Sequence, residues 1–191
     1  MEGCEDASDP EVTMDRSAFE DVYRETYGRV LAFALRRTAR SSADDVVAGT
    51  FLVAWRRRDD IVGDPLPWLL GIARRILANQ LRTARRAEAL ALKAGAERDG
   101  FDEPFLEPDF WDTAVGVALG SLKQQDQDAL TLIAWEELAP DEAARVVGCS
   151  GAAFRVRLHR ARGRLARALV EAEAEKRSAS QRNMSAPEPE G

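Results

Sequence analysis

The sequence predicts an all-α protein: two small helical domains joined by a flexible acidic linker. Three observations carry this. Apolar residues recur at spacings of three and four in two separate stretches, strand-type alternation is nowhere present, and an acidic run with Gly and Pro separates the stretches. The 191 residues suffice for two small domains with their own cores, so neither disulfides nor metals are needed for stability.

Taken in order, residues 1–16 form an acidic tail. A first unit spans 17–92. It opens at Ser17-Ala18-Phe19-Glu20, which has capping-box spacing, and Phe19, Val22, Tyr23, Thr26, Val30, Phe33 and Ala34 share one helical face. Ser42-Ala43-Asp44-Asp45 predicts a second helix start, with Val47, Phe51, Ala54 and Trp55 on one side. A loop with Gly63 and Pro65 follows, and Pro67 suits the first position of a third helix through Trp68, Leu69, Ile72, Ile76 and Leu81. Residues 93–111 read as the acidic linker, 112–172 as a second helical unit, and 173–191 as a polar, disordered tail.

The formal charge of −6 hides a blocked arrangement. Residues 22–92 carry 13 Arg against seven acids, and 143–170 carry seven Arg and no acid. The intervening 93–142 hold 13 acids against three bases. Basic blocks of this kind suit a polyanion. The acids at 126–142 read as helix surface rather than as a metal site.

Pro140 to Val147 predicts a short helix stopped by Gly148, Cys149-Ser150 a tight turn, and Gly151 onward a longer helix capped by Ser150. That is helix-turn-helix spacing. At about 100° per residue, Leu158, Ala161, Leu165, Ala168 and Leu169 fall within roughly 60° of Phe154, and the arginines occupy the remaining arc. Ala152, Val156 and His159 point away from the core. An outward Val and Ala suit thymine methyls in a major groove, with Arg155 and Arg160 reaching guanine edges or phosphates.

Other classes are excluded. Cys4 and Cys149 make no disulfide framework, and with His159 they are too few for a zinc cluster. No apolar run approaches the roughly 18 residues of a membrane span. No nucleophile–base pair or phosphate loop points to an enzyme, and no cofactor is expected.

The run Gly148-Cys149-Ser150-Gly151-Ala152-Ala153-Phe154-Arg155-Val156-Arg157-Leu158-His159-Arg160-Ala161-Arg162-Gly163-Arg164-Leu165 resembles region 4 of sigma-70 family factors of the extracytoplasmic-function group. Phe19 to Arg40, Asp44 to Trp55 and Trp68 to Arg74 are similar to successive parts of region 2. The resemblance covers about residues 17–170. It implies a cytoplasmic transcription initiation factor that binds RNA polymerase core, at the beta-prime clamp and beta flap, and recognises −10 and −35 promoter DNA. It also implies an anti-sigma factor as a partner, and no direct membrane insertion. A helix-turn-helix regulator that binds an operator without polymerase is the alternative; it leaves 17–92 unexplained.

Carried over residue by residue, the resemblance assigns Asp44, Asp45, Val47, Thr50, Phe51 and Trp55 to polymerase binding. It assigns Asp60, Trp68, Arg74, Arg75, Asn79, Arg82 and Arg85, beside Arg86, to the −10 strand. Ser150, Ala152, Ala153, Arg155, Val156, Arg157, His159, Arg160 and Arg162 fall to the −35 duplex. Trp68 stands at i, i+4 to Ile72, which suits core packing as well as base contact. The acidic linker is expected to thread the polymerase's nucleic-acid path. Ala48 and Gly49 stand where the family usually has Gln and an acid, Arg75 where it has Asn, and Asn79 where Asp is common.

Overall fold

A computed structural model describes residues 14–93 and 108–184, and among these every regular element is helical. The N-terminal unit is built from α1 (Arg16–Leu35), α2 (Arg40–Arg56), a 3-10 turn (Arg58–Asp60) and α3 (Pro65–Lys93). The C-terminal unit comprises α4 (Pro108–Trp111), α5 (Ala114–Gly120), α6 (Gln124–Ala134), α7 (Pro140–Val147) and α8 (Gly151–Met184).

In the first unit the three helices close on Val30, Phe33 and Ala34 of α1, Ala43, Val46 and Ala54 of α2, and Leu69, Leu70 and Ala73 of α3, all essentially without solvent contact. Gly49 faces α3, where a Cβ would come within 3.2 Å of Ile76 Cδ1. A Cβ there would require the Ile76 side chain to give by a few tenths of an ångström, so Gly49 sits close beneath it. In the second unit Leu119, Ala129, Leu132, Leu138, Ala143, Ala144, Val146, Phe154, Leu158 and Ala161 form the core.

The helix starts differ from expectation by a turn or less. Asp15, not Ser17, caps α1, its Oδ1 accepting from the Ala18 amide at 2.8 Å, while Glu20 pairs with Arg16. Asp is as good a cap as Ser, and its earlier place admits more of the chain to the helix. α2 begins at Arg40, after Ala39, with no side-chain cap, so Ser42 lies inside it. α3 begins at Pro65 rather than Pro67; Asp64 Oδ1 accepts from the Leu66 amide at 3.0 Å, and Pro65 loses nothing by lacking an N–H there. The last residues of the expected linker form α4. At the far end α8 continues to Met184, so helix takes the place of disorder over much of 173–191. Ala172-Glu173-Ala174-Glu175-Lys176-Arg177 is made of strong helix formers, and Lys176 Nζ donates to the Asp112 carbonyl at 3.3 Å. The remainder of the expected linker, 94–107, and both chain ends lie outside the described residues.

Two glycines test this packing in opposite directions. At Gly116 the Phe110 carbonyl oxygen and the Trp111 Cα stand where a Cβ would go, whereas at Gly163 the space is open. Gly116→Ala is expected to lower stability by about 1–3 kcal/mol through overpacking. Gly163→Ala should raise it by about 0.5–1 kcal/mol through helix propensity. Urea unfolding of the full chain checks both signs.

Candidate nucleic-acid interface

The helix-turn-helix forms as the residues dictate. Pro140 opens α7, and Glu142 Oε2 accepts from the Ala139 amide at 2.7 Å. Gly148 ends α7 with φ 73°, the left-handed conformation that favours glycine, and the Cys149 amide closes on the Ala144 carbonyl at 3.0 Å. Ser150 then caps α8, its Oγ accepting from the Ala153 amide at 3.2 Å. Phe154, Leu158 and Ala161 are buried and Leu165 packs against them. Ala152, Ala153, Arg155, Val156, His159, Arg160 and Arg162 are exposed, and Arg157 is half-buried. Val156 leaves 51% of its surface in water, an apolar spot on a basic face. Arg155 is turned toward α7, where both Asp141 carboxylate oxygens accept from it at 2.8 and 2.9 Å.

On α3 the basic residues divide. Arg75, Asn79, Arg82 and Arg86 recur at four, three and four, one exposed stripe, and Arg82 donates to Asn79. Arg74 and Arg85 lie roughly 100° around the helix from that stripe. Arg85 is exposed, whereas Arg74 is engaged by Asp128 of α6, with both Nε and Nη2 at 2.8 Å from Oδ2. Trp68 is half-buried against the core, the packing that its spacing from Ile72 allows. Asp60 sits in the turn between α2 and α3, exposed and paired with Arg57 at 2.6 Å.

The face expected for polymerase binding needs correction. Val47, Thr50 and Phe51 are core residues; Thr50 has no solvent exposure, and its hydroxyl donates to the Val46 carbonyl at 2.7 Å. They pack α2 onto its neighbours, so they are not surface contacts. Asp44, Asp45 and Trp55 are exposed, Trp55 lying edge-on to Phe19 with ring centroids 5.1 Å apart and under the Arg58 guanidinium. Sequence reasoning missed Ala48 and Leu52, which complete the exposed stripe from Asp45 to Trp55. Their spacing of three, four and three was the available signal.

The acids of α6 and the turn after it also depart from expectation. Asp126, Asp128 and Glu136 are buried rather than surface residues, and each holds arginine. Asp126 accepts from Arg164 of α8 at 2.9 Å, and Asp128 from Arg74. Glu136 accepts from Arg36 at 2.7 Å and Arg37 at 3.2 Å, while its carbonyl accepts from Arg29. Burial pulls the Arg37 guanidinium below its ordinary range, opposed by the charges of Glu136 and Asp128. Among the described residues no group of three or more His, Cys, Asp or Glu could hold a metal ion.

A helix-turn-helix with a basic outer face, packed beside a second helical unit with its own arginine stripe, defines a two-part DNA-binding factor. Comparison with known proteins narrows the class. The family described as Sigma-70 region 2 matches residues 22–87, and Sigma-70, region 4 matches 113–165. The RNA polymerase sigma factor CnrH of Cupriavidus metallidurans is 32% identical over 174 residues, covering 78% of this chain and 89% of that one. The RNA polymerase sigma factor YlaC of Bacillus subtilis is 28% identical over 169 residues, covering 85% and 98%. The solved structure of CnrH with the cytosolic domain of CnrY aligns at a TM-score of 0.57 and 29% identity, covering 83% of this chain and 90% of CnrH. The sigma factor RpoE, solved with the anti-sigma factor NepR from Bartonella quintana, shares the fold at a TM-score of 0.60 and 24% identity, with 79% and 96% covered. The chain belongs to the sigma-70 family, in its extracytoplasmic-function group. It is a transcription initiation factor that directs RNA polymerase to promoters.

The Asp126–Arg164 pair carries an asymmetry that stability measurements can read. The aspartate side chain is 7% exposed and the arginine 45%. Arg164→Ala strands a carboxylate in the interior, whereas Asp126→Ala leaves a guanidinium that reaches water. The first is expected to cost about 2 kcal/mol more than the second, and reversal of that order in denaturant melts would refute the account.

Proposed function

We propose that the two units divide promoter recognition between them, with 17–92 serving the −10 element and 112–172 the −35 element. The separation of faces on α8 carries this reading. Phe154, Leu158 and Ala161 anchor the helix while Ala152, Ala153, Val156, Arg155 and Arg160 stand free of the core. In a major groove the Ala and Val side chains meet thymine methyls, and the arginines meet guanine edges or phosphates. Arg157, His159 and Arg162 serve the flanking backbone. Ser150 acts by capping the helix, which also leaves the N-terminal amides of α8 near the duplex.

The α3 stripe of Arg75, Asn79, Arg82 and Arg86, with Arg74, Arg85, Trp68 and Asp60, holds the opened −10 strand. Cations neutralise its phosphates, and an aromatic or a pocket captures an unstacked base. The exposed α2 stripe of Asp44, Asp45, Ala48, Leu52 and Trp55 docks on the polymerase clamp, and the C-terminal unit on the flap. These roles are binding roles and require neither catalysis nor a cofactor. No helix among the described residues is long and apolar enough to cross a membrane, and a factor that works on polymerase and DNA belongs in the cytoplasm. CnrH, captured with the cytosolic domain of CnrY, supports a restraining partner of the anti-sigma type here too.

In vitro transcription with core polymerase and a promoter library tests the assignment. Arg155→Ala should relax preference at one −35 position and cost about 1–3 kcal/mol in promoter affinity. Arg160→Ala, if it meets phosphate, should weaken all promoters alike and lower the salt slope by about 0.9. Unchanged initiation and salt dependence in both variants would count against the −35 role of α8.

A further inference from the structure

Asp141 stands beside the basic face of α8, where a negative charge opposes DNA binding. It lies in the first turn of α7, and its side chain is 68% exposed. Both carboxylate oxygens accept from a single atom, Nη2 of Arg155, at 2.9 and 2.8 Å. The start of α7 does not need this acid, because Pro140 brings no N–H and Glu142 already takes the Ala139 amide. Stability does not account for it either. The Arg155 side chain is 56% exposed, and an ion pair that open to water contributes little net energy. Gly151 makes the pair possible. It is the first residue of α8 and stands four positions before Arg155, on the same side of the helix. A Cβ there would overlap Asp141 Oδ1 and come within 3.5 Å of Arg155 Nη1. Its φ lies outside the left-handed region that Gly63 and Gly148 occupy, so what glycine provides here is space.

We propose that Asp141 is a positioning residue for −35 recognition: it fixes the Arg155 guanidinium across the turn, in a notch that Gly151 keeps open. This rests on the −35 role assigned to α8 above. With Nη2 held, the side chain gives up most of its rotamers before DNA arrives. Nη1 is left to donate to N7 or O6 of a guanine edge. An untethered arginine reaches phosphates and several bases alike, whereas a tethered one favours the base pair directly before it. The carboxylate repels phosphates of every sequence equally, so it lowers general affinity while sharpening the choice at one position.

Holoenzyme assembled from the full-length chain and core polymerase, run on a promoter library randomised through the −35 element, tests this. Asp141→Asn removes the charge and keeps the volume, whereas Gly151→Ala displaces the carboxylate and keeps both charges. The position to follow is the base pair whose preference Arg155→Ala abolishes. Each of the other two variants should lower preference there about fivefold, the effect of ordering one long side chain. Preferences elsewhere in the element should hold, and the urea midpoint should not fall. In the Arg155→Ala background neither substitution should change the preference further. Retained preference in either variant overturns the positioning role. So does a further loss once Arg155 is absent, or a uniform weakening of all promoters with a lower urea midpoint, the mark of a merely structural residue. Failure of the −35 reading would look different: Arg155→Ala itself would leave every −35 preference unchanged, and the positioning role would fall with it.

Discussion

A carboxylate withdrawn from water persists as an ion only where cations and donors replace its hydration. Glu136 meets that condition with Arg36 and Arg37, and its carbonyl takes Arg29. This cluster ties the end of α1 to the turn after α6. A second pair, Arg74 with Asp128, ties α3 to α6. A buried apolar cluster runs through both units, and the charged groups join them beside it.

The same clusters explain why the charge blocks do not repel the chain into two independent pieces. Two arginine-rich units should avoid one another, and the acids between them are what reconcile them. Asp126, Asp128 and Glu136 each neutralise arginine inside the protein, while the outer faces of α3 and α8 keep theirs for a polyanion. A net charge of −6 is therefore compatible with DNA binding, because the anionic excess and the basic blocks occupy different parts of the sequence. A modest overall charge also limits indiscriminate binding to nucleic acid.

The legibility of the site followed burial. On α8 the core residues and the exposed residues were separable from spacing alone, since Phe154, Leu158 and Ala161 face one neighbouring layer. On α2 they were not. Val47, Thr50 and Phe51 resemble the family's contact segment, yet α2 is flanked by both α1 and α3, so it buries two sides and leaves only the stripe through Ala48 and Leu52 in water. Thr50 illustrates the difficulty: a hydroxyl reads as a surface group until it donates a hydrogen bond to the helix carbonyl four residues back. Trp68 settled toward the core for the reason its distance from Ile72 allowed.

What the sequence determined by itself was local: helical periodicity, the left-handed stop at Gly148, the cap at Ser150, the two faces of α8, and the family to which those motifs belong. These depend on residues within one or two turns of each other. The tertiary structure alone decided which acids are buried, which arginines are spent on them, and how the two units meet. Asp126, Asp128 and Glu136 look like solvated charge in the sequence because their partners stand 38, 54 and 100 positions away. No local pattern encodes a pairing at that range; it exists only once the apolar cores have brought the helices together and removed the water.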